Sequence, residues 1–151
     1  MLRGVTEGDP WAREVALART TAVWGAAGVV GGLGFAGRFR HDPWRRAFGM
    51  QNAGWGAMDL AIVVVAERLR KRRMARLADP YEPAELRVEG RRLRRILLVN
   101  VGLDAGYVVG GLALWRWRRG SGAAAGASAG IVAQGAFLLA HDAHHAYHST
   151  A

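Results

Sequence analysis

Four stretches of this 151-residue chain, 20–37, 47–66, 96–115 and 120–140, carry no charged side chain except Asp59 and Asp104, while arginine crowds the segments between them. Each approaches the roughly 20 apolar residues that, at about 1.5 Å per residue, cross a hydrocarbon core about 30 Å thick. The helices of a soluble bundle would present a charged face with a period of about 3.6 residues, and these stretches present none. The expectation is an all-α fold, a four-transmembrane-helix bundle forming one integral membrane domain over 1–151. The mean hydropathy of +0.02 averages apolar spans with basic connections and so does not argue for a soluble protein.

Charge orients the spans. The segment 67–95 holds 11 of the 21 basic residues, and with an inner amino terminus the three inner segments hold 14 against 7 outside. By the positive-inside rule both termini and the long central loop face the cytoplasm. The net charge of +9 is thereby absorbed by topology, and nucleic-acid binding is set aside. Arg68 to Arg76 would instead attract anionic lipid headgroups, at about 1 kcal/mol per basic residue near the surface. The first span follows a segment bearing Glu7, Asp9 and Glu14 and is longer than the apolar core of a signal peptide, so it is expected to be retained. Twenty arginines against one lysine, Lys71, among many alanines and glycines suggest a GC-rich bacterial genome and hence a multi-pass protein of the bacterial plasma membrane. The absence of cysteine excludes disulfides, thiol catalysis and cysteine-ligated metals.

Local signals punctuate the chain. Asp9-Pro10-Trp11 and Asp42-Pro43-Trp44 each place a capping carboxylate, a proline suited to the first helical turn and a tryptophan suited to the headgroup region ahead of a helix. The second helix is expected to run past Ala66 as far as Ala78, break at Asp79-Pro80-Tyr81-Glu82-Pro83 and restart at Pro83, making the central loop a cytoplasmic helical hairpin. A faint repeat pairs Val29-Val30-Gly31-Gly32-Leu33 with Val108-Val109-Gly110-Gly111-Leu112, and Gln51 to Asp59 with Gln134 to Asp142. It suggests a 2+2 pseudo-repeat about a twofold axis along the membrane normal. Gly28 and Gly32, Gly102, Gly106 and Gly110, and Gly122, Gly126 and Gly130 recur every four residues. Such series let helices approach closely, within one bundle or between protomers of a homo-oligomer or larger membrane complex.

Against this apolar background the polar residues stand out. A central Asp costs about 2.5 to 3.5 kcal/mol to insert, so each intramembrane carboxylate is a functional candidate. Asn100, Asp104 and Tyr107 share one face of the third helix, opposite its glycines. Asn52 and Asp59 share a face of the second helix, with Trp55 between them. On the fourth, Gln134, His141 and His145 align, with Asp142 on the shoulder. Counted from the cytoplasmic ends of the spans, Asp59, Asn100, Asp104 and Gln134 all lie roughly 6 to 12 Å deep, with Asp142 and His145 nearer the boundary. One polar cluster is expected in the cytoplasmic half of the bundle. The structural alternative is that the amides and tyrosine join helices, at about 0.6 kcal/mol per contact, with Asp104 protonated or paired with His145.

His141, His144, His145 and His148 fall on one helical face, and imidazole with carboxylate suits Zn or Fe. His141-Asp142-Ala143-His144-His145 has the H-x-x-H-H form of membrane di-iron desaturases, but those need several such boxes, and the one remaining histidine, His41, lies on the opposite side by this topology. A smaller metal or haem site using His141 and His145 is an alternative, against histidines that favour the dipole of a helix end. No nucleophile motif, phosphate loop or dinucleotide fingerprint points to an enzyme, and no particular cofactor is implied.

On the run Asn100-Val101-Gly102-Leu103-Asp104-Ala105-Gly106-Tyr107, and on Gln134-Gly135-Ala136-Phe137 followed by Asp142 and His145, the chain resembles an uncharacterised family of small four-helix bacterial membrane proteins with no assigned function. The resemblance covers about Phe48 to Tyr147 and rests on patterns like N-x-G-L-D-x-x-Y and Q-G-x-F-L with a later D-x-x-H. It singles out Asn100, Asp104, Tyr107, Gln134, Asp142 and His145. It also implies that His141 and His144 occupy places more often apolar, which weighs against a four-histidine metal site.

Two functional classes follow. In the first, Asp59 and Asp104 bind a proton or cation, Asn100, Tyr107 and Gln134 orient a small ligand, and Asp142 with His145 acts as a gate. In the second, the protein is a structural or accessory subunit whose glycine faces dock onto a larger membrane complex. A cavity reaching the polar side chains would mark the first; a dry, fully bonded cluster and an exposed glycine face would mark the second.

Overall fold

The computed structural model describes residues 9–118 and 120–148. Among them are four helices and no strands: α1 (Pro10–Arg38), α2 (Pro43–Met74), α3 (Pro83–Trp117) and α4 (Gly122–His148). The Asp-Pro-Trp signals act as caps. An Asp9 carboxylate oxygen accepts from the Trp11 backbone N–H at 2.9 Å, and Asp42 accepts from that of Arg45 at 2.9 Å, with a proline in the first turn of each helix. These bonds satisfy amides that have no carbonyl partner within the helix. α3 restarts at Pro83 as expected, but α2 ends at Met74 rather than continuing to Ala78. The backbone N–H groups of Arg76 and Leu77 turn back to the carbonyls of Arg73 and Met74, closing tight turns where the helical ladder stops.

All four helices outrun their apolar stretches. α3, at 35 residues, is about 52 Å long, so the start of α1, the end of α2 and the start of α3 form a charged extension at one end of the bundle. By length and composition α1, α3 and α4 can each cross a membrane. The corresponding stretch of α2 contains Gln51, Asn52 and Asp59 and is less apolar.

Small residues set the helix contacts. α1 lies against α2 through Gly25, Gly28 and Gly32, which face Gly49, Asn52, Ala53 and Gly56. α4 meets α2 where Gly126 abuts the Trp44 backbone and Gly130 lies against Gln51, and it meets α3 through Gly135 at Tyr107 and Val108. The α3 glycine used in packing is Gly111, against Ile131 and Val132. Gly102, Gly106 and Gly110 instead face open space. α1 packs on α2, α2 on α4 and α4 on α3, while α1 and α3 touch only over a short stretch and α2 and α3 make no backbone approach to each other.

Few apolar side chains are buried among the described residues: Leu93, Leu97 and Ala146 form one cluster, with Leu17 packed alongside, and Trp11, Ala36 and Ala53 are buried elsewhere. The outside of the bundle is apolar, with Val30 at 74% and Val109 at 66% exposure. Burying few apolar side chains inside while leaving large ones outside inverts the arrangement that water selects.

Candidate functional site

A cavity of about 540 Å³ is bounded by side chains from all four helices. Asp59 from α2, Asn100, Asp104 and Tyr107 from α3, and Asp142 from α4 line it. The helical spacing explains the α3 contribution, because residues at i, i+4 and i+7 share a face, and here that face turns inward while Gly102, Gly106 and Gly110 turn outward. Asp59, Asp104 and Asp142 are buried. Asp59 and Asp142 both lie near enough to Asp104 to act on it as like charges, with His141 the cationisable group beside it.

Asp59 is tied to a relay of side chains. Gln134 donates through Nε2 to Asp59 Oδ2 at 2.6 Å, and Trp24 donates through Nε1 to Gln134 Oε1 at 2.7 Å. The Trp24 ring stacks on Phe137 at 3.8 Å between centroids. At 3% exposure, Gln134 needs both partners, since an unbonded buried amide costs about 1 to 3 kcal/mol. It therefore bridges α1, α2 and α4 and does not line the cavity.

Asp104 differs. It is 5% exposed and its Oδ2 has no hydrogen-bond partner. Three further buried atoms of cavity-lining residues make no hydrogen bond, Trp55 Nε1, His141 Nε2 and Arg73 Nε, the last of them in an ion pair with Glu89. His141 uses its other ring nitrogen, Nδ1, which lies 3.0 Å from Asp142 Oδ1. Buried polar atoms almost always have partners, so the three with neither a hydrogen bond nor an ion pair around a single cavity mark a place built to contact something else. The Trp55 and Tyr107 rings meet edge to face at 5.0 Å, spanning the α2–α3 gap.

The charged end of the cavity is balanced. Arg73 Nη2 donates to both Glu14 oxygens, at 2.7 and 2.8 Å. Arg73 Nε lies 3.3 Å from Glu89 Oε2, an ion pair without hydrogen-bond alignment. Arg92 Nη1 lies 3.4 Å from Glu89 and 3.7 Å from Glu14. The Arg73 guanidinium also stands 5.6 Å from the Trp11 ring, whose Nε1 donates to the Pro80 carbonyl at 3.0 Å. This group ties α1, α2, α3 and the central turn together. Next to it Arg70 donates to both Glu67 oxygens through Nε and Nη2, and these hydrogen bonds hold the Glu67 carboxyl below its ordinary range.

The remaining expected site residues lie elsewhere. The Asn52 side chain donates to the Phe48 carbonyl of its own helix at 2.8 Å. His145 packs edge-on to His141 at 4.9 Å, outside the cavity lining. The side chain of His148 lies outside the described residues. Among those described, no three His, Cys, Asp or Glu side chains are grouped to hold a metal ion. Sequence reasoning missed Trp24, the role of Trp55 and the Glu14–Arg73–Glu89–Arg92 group. Glu14 and Glu89 did carry a signal, as acids in otherwise basic flanks.

The chain matches DUF6992, a family of unknown function, over residues 20–143, and belongs to that family. No curated protein and no solved structure matches it.

Proposed function

We propose that this member of the DUF6992 family is a four-span protein of the bacterial plasma membrane, with both termini cytoplasmic, whose interior cavity binds or passes a small ligand or proton. The observation that carries this reading is the cavity itself, where buried Asp104 presents an unpartnered carboxylate oxygen beside Asp59 and Asp142. Three apolar helices and an apolar exterior support membrane residence, and the arginines of 67–95 support the orientation. α2 completes the set because it is held between α1 and α4 by glycine contacts. Arg68 to Arg76 then lie at the cytoplasmic surface, where anionic headgroups gather.

Asp59 and Asp104 are the groups that take the proton or cation, with Asn100 and Tyr107 orienting a ligand and Asp142 near the charged end. Gln134 positions Asp59. A second reading, an accessory subunit, is favoured by the open glycine face at Gly102, Gly106 and Gly110, but a cavity with unpartnered polar atoms is not the dry, bonded core it requires.

Dicyclohexylcarbodiimide, an apolar reagent that adds to protonated carboxyls, tests the site in lipid-reconstituted protein. Peptide mass mapping is expected to place the added mass on Asp104 or Asp59. Modification of loop carboxyls alone, with the interior aspartates unmodified, would show that the cavity is closed and end this reading.

A further inference from the structure

We propose that the ligand is a lipophilic organic cation, an onium or ammonium ion with an apolar body, which enters from the bilayer between α2 and α3. The proposal rests on the cavity being a ligand site and names what that site selects. The first argument is charge. Every arginine lining the cavity already has a carboxylate: Arg70 has Glu67, Arg73 has Glu14 and Glu89, and Arg92 has Glu89 and Glu14. The aspartates do not match this. Among the described residues neither Asp59 nor Asp104 has an ion-pair partner, and Asp142 has only the adjacent His141. The uncompensated charge of the cavity is therefore negative, and an anion would meet three carboxylates there.

The second argument is Asp104. Its side chain is more than nine-tenths buried, lines the cavity and leaves Oδ2 unbonded. A buried carboxylate without a partner is costly, and a cation in the cavity relieves that cost. Trp55 and Tyr107 also line the cavity, and aromatic faces attract cations.

The third argument concerns shape. Apart from Thr21 and Asn100 the rest of the lining is apolar, with Ile62, Leu97, Leu103 and Leu138 among it, so the charged centre must carry apolar groups. About 540 Å³ lies within the range of sites for drug-sized molecules. Met58 on α2 and Leu103 on α3 line the cavity yet are 55% and 56% exposed, and these two helices make no backbone approach. The cavity therefore reaches the bundle surface between them, through apolar side chains. At that depth a four-span protein meets lipid tails, from which a lipophilic cation can partition.

The test uses two ions of nearly the same size and opposite charge, with the full-length protein in phosphatidylcholine nanodiscs. Tetraphenylphosphonium is expected to bind saturably and to slow dicyclohexylcarbodiimide labelling of Asp104, while tetraphenylborate does neither. Asp104→Asn should weaken phosphonium binding about tenfold or more, with Asp104→Glu retaining it. Equal binding of the borate, or Asp104→Asn binding within about twofold of wild type, overturns the proposal. The phosphonium–borate contrast on the wild type needs no variant to fold. If the carbodiimide labels Asp104 but the phosphonium neither binds nor protects, the cation assignment falls and the ligand-site reading survives. If no interior aspartate is labelled and no phosphonium binds, both fall.

Discussion

Gly56→Leu is expected to break the α1–α2 interface and lower stability by about 3 kcal/mol or more. A Cβ at Gly56 would fall onto the Gly25 carbonyl oxygen and lie 2.8 Å from the Val29 nitrogen and 3.1 Å from the Gly28 carbonyl carbon. All three are backbone atoms of α1, so no rotamer change makes room. The helices would have to separate, taking with them the neighbouring contacts of Gly32 with Gly49 and Ala53. Gly106→Ala is the control. Nothing lies within 4 Å of its Cβ position, and alanine improves helix propensity by up to about 1 kcal/mol. Denaturant titration of the detergent-purified protein, followed by tryptophan fluorescence, should show a large loss for the first and none for the second. Equal effects would mean that the α1–α2 packing is not as described. A change of assembly size with Gly106→Leu at unchanged stability would favour the accessory-subunit reading.

The second large effect is expected at Arg73. Arg73→Ala removes the guanidinium held between Glu14 and Glu89, whose side chains are 15% and 9% exposed. Arg92, at 3.4 and 3.7 Å from the two glutamates, is left to neutralise both. Breaking a largely buried ion pair from one side costs about 3 kcal/mol, mostly from the charge left behind. Arg73→Lys should recover part of this, because an ammonium keeps the charge but cannot reproduce the paired contact to Glu14. Arg73→Met with Glu14→Gln should recover more than Arg73→Met alone. The unfolding midpoints of these variants measure it, and an Arg73→Ala midpoint equal to wild type would show that the group contributes nothing.

Helix number, the Asp9 and Asp42 caps and the restart at Pro83 were legible in the sequence because each depends on neighbouring residues. The inward face of α3 was legible too, since Asn100, Asp104 and Tyr107 follow helical periodicity against a run of glycines. Packing order was not. Periodicity gives the polar face of one helix but not which helix lies opposite. Asn52 and Gln134 read as ligand contacts for the same reason. Each lies on a polar face, yet Asn52 bonds its own helix and Gln134 is taken by Asp59 and Trp24. The Glu14–Arg73–Glu89–Arg92 group joins residues far apart in the chain. Its arginines resembled the many others expected to set topology, and only the fold distinguishes them.

The chain has no cysteine, so a single introduced thiol reports on its own surroundings without background. Asn100 lines the cavity, whereas Val109 lies exposed on the outer face of the same helix. In lipid nanodiscs Asn100→Cys is expected to react with a small cationic methanethiosulfonate and to be protected by tetraphenylphosphonium, while Val109→Cys, facing lipid, reacts far more slowly. An Asn100→Cys thiol as unreactive as that at position 109, with the protein folded, would mean that the polar interior is sealed, contradicting a binding cavity at the centre of this bundle.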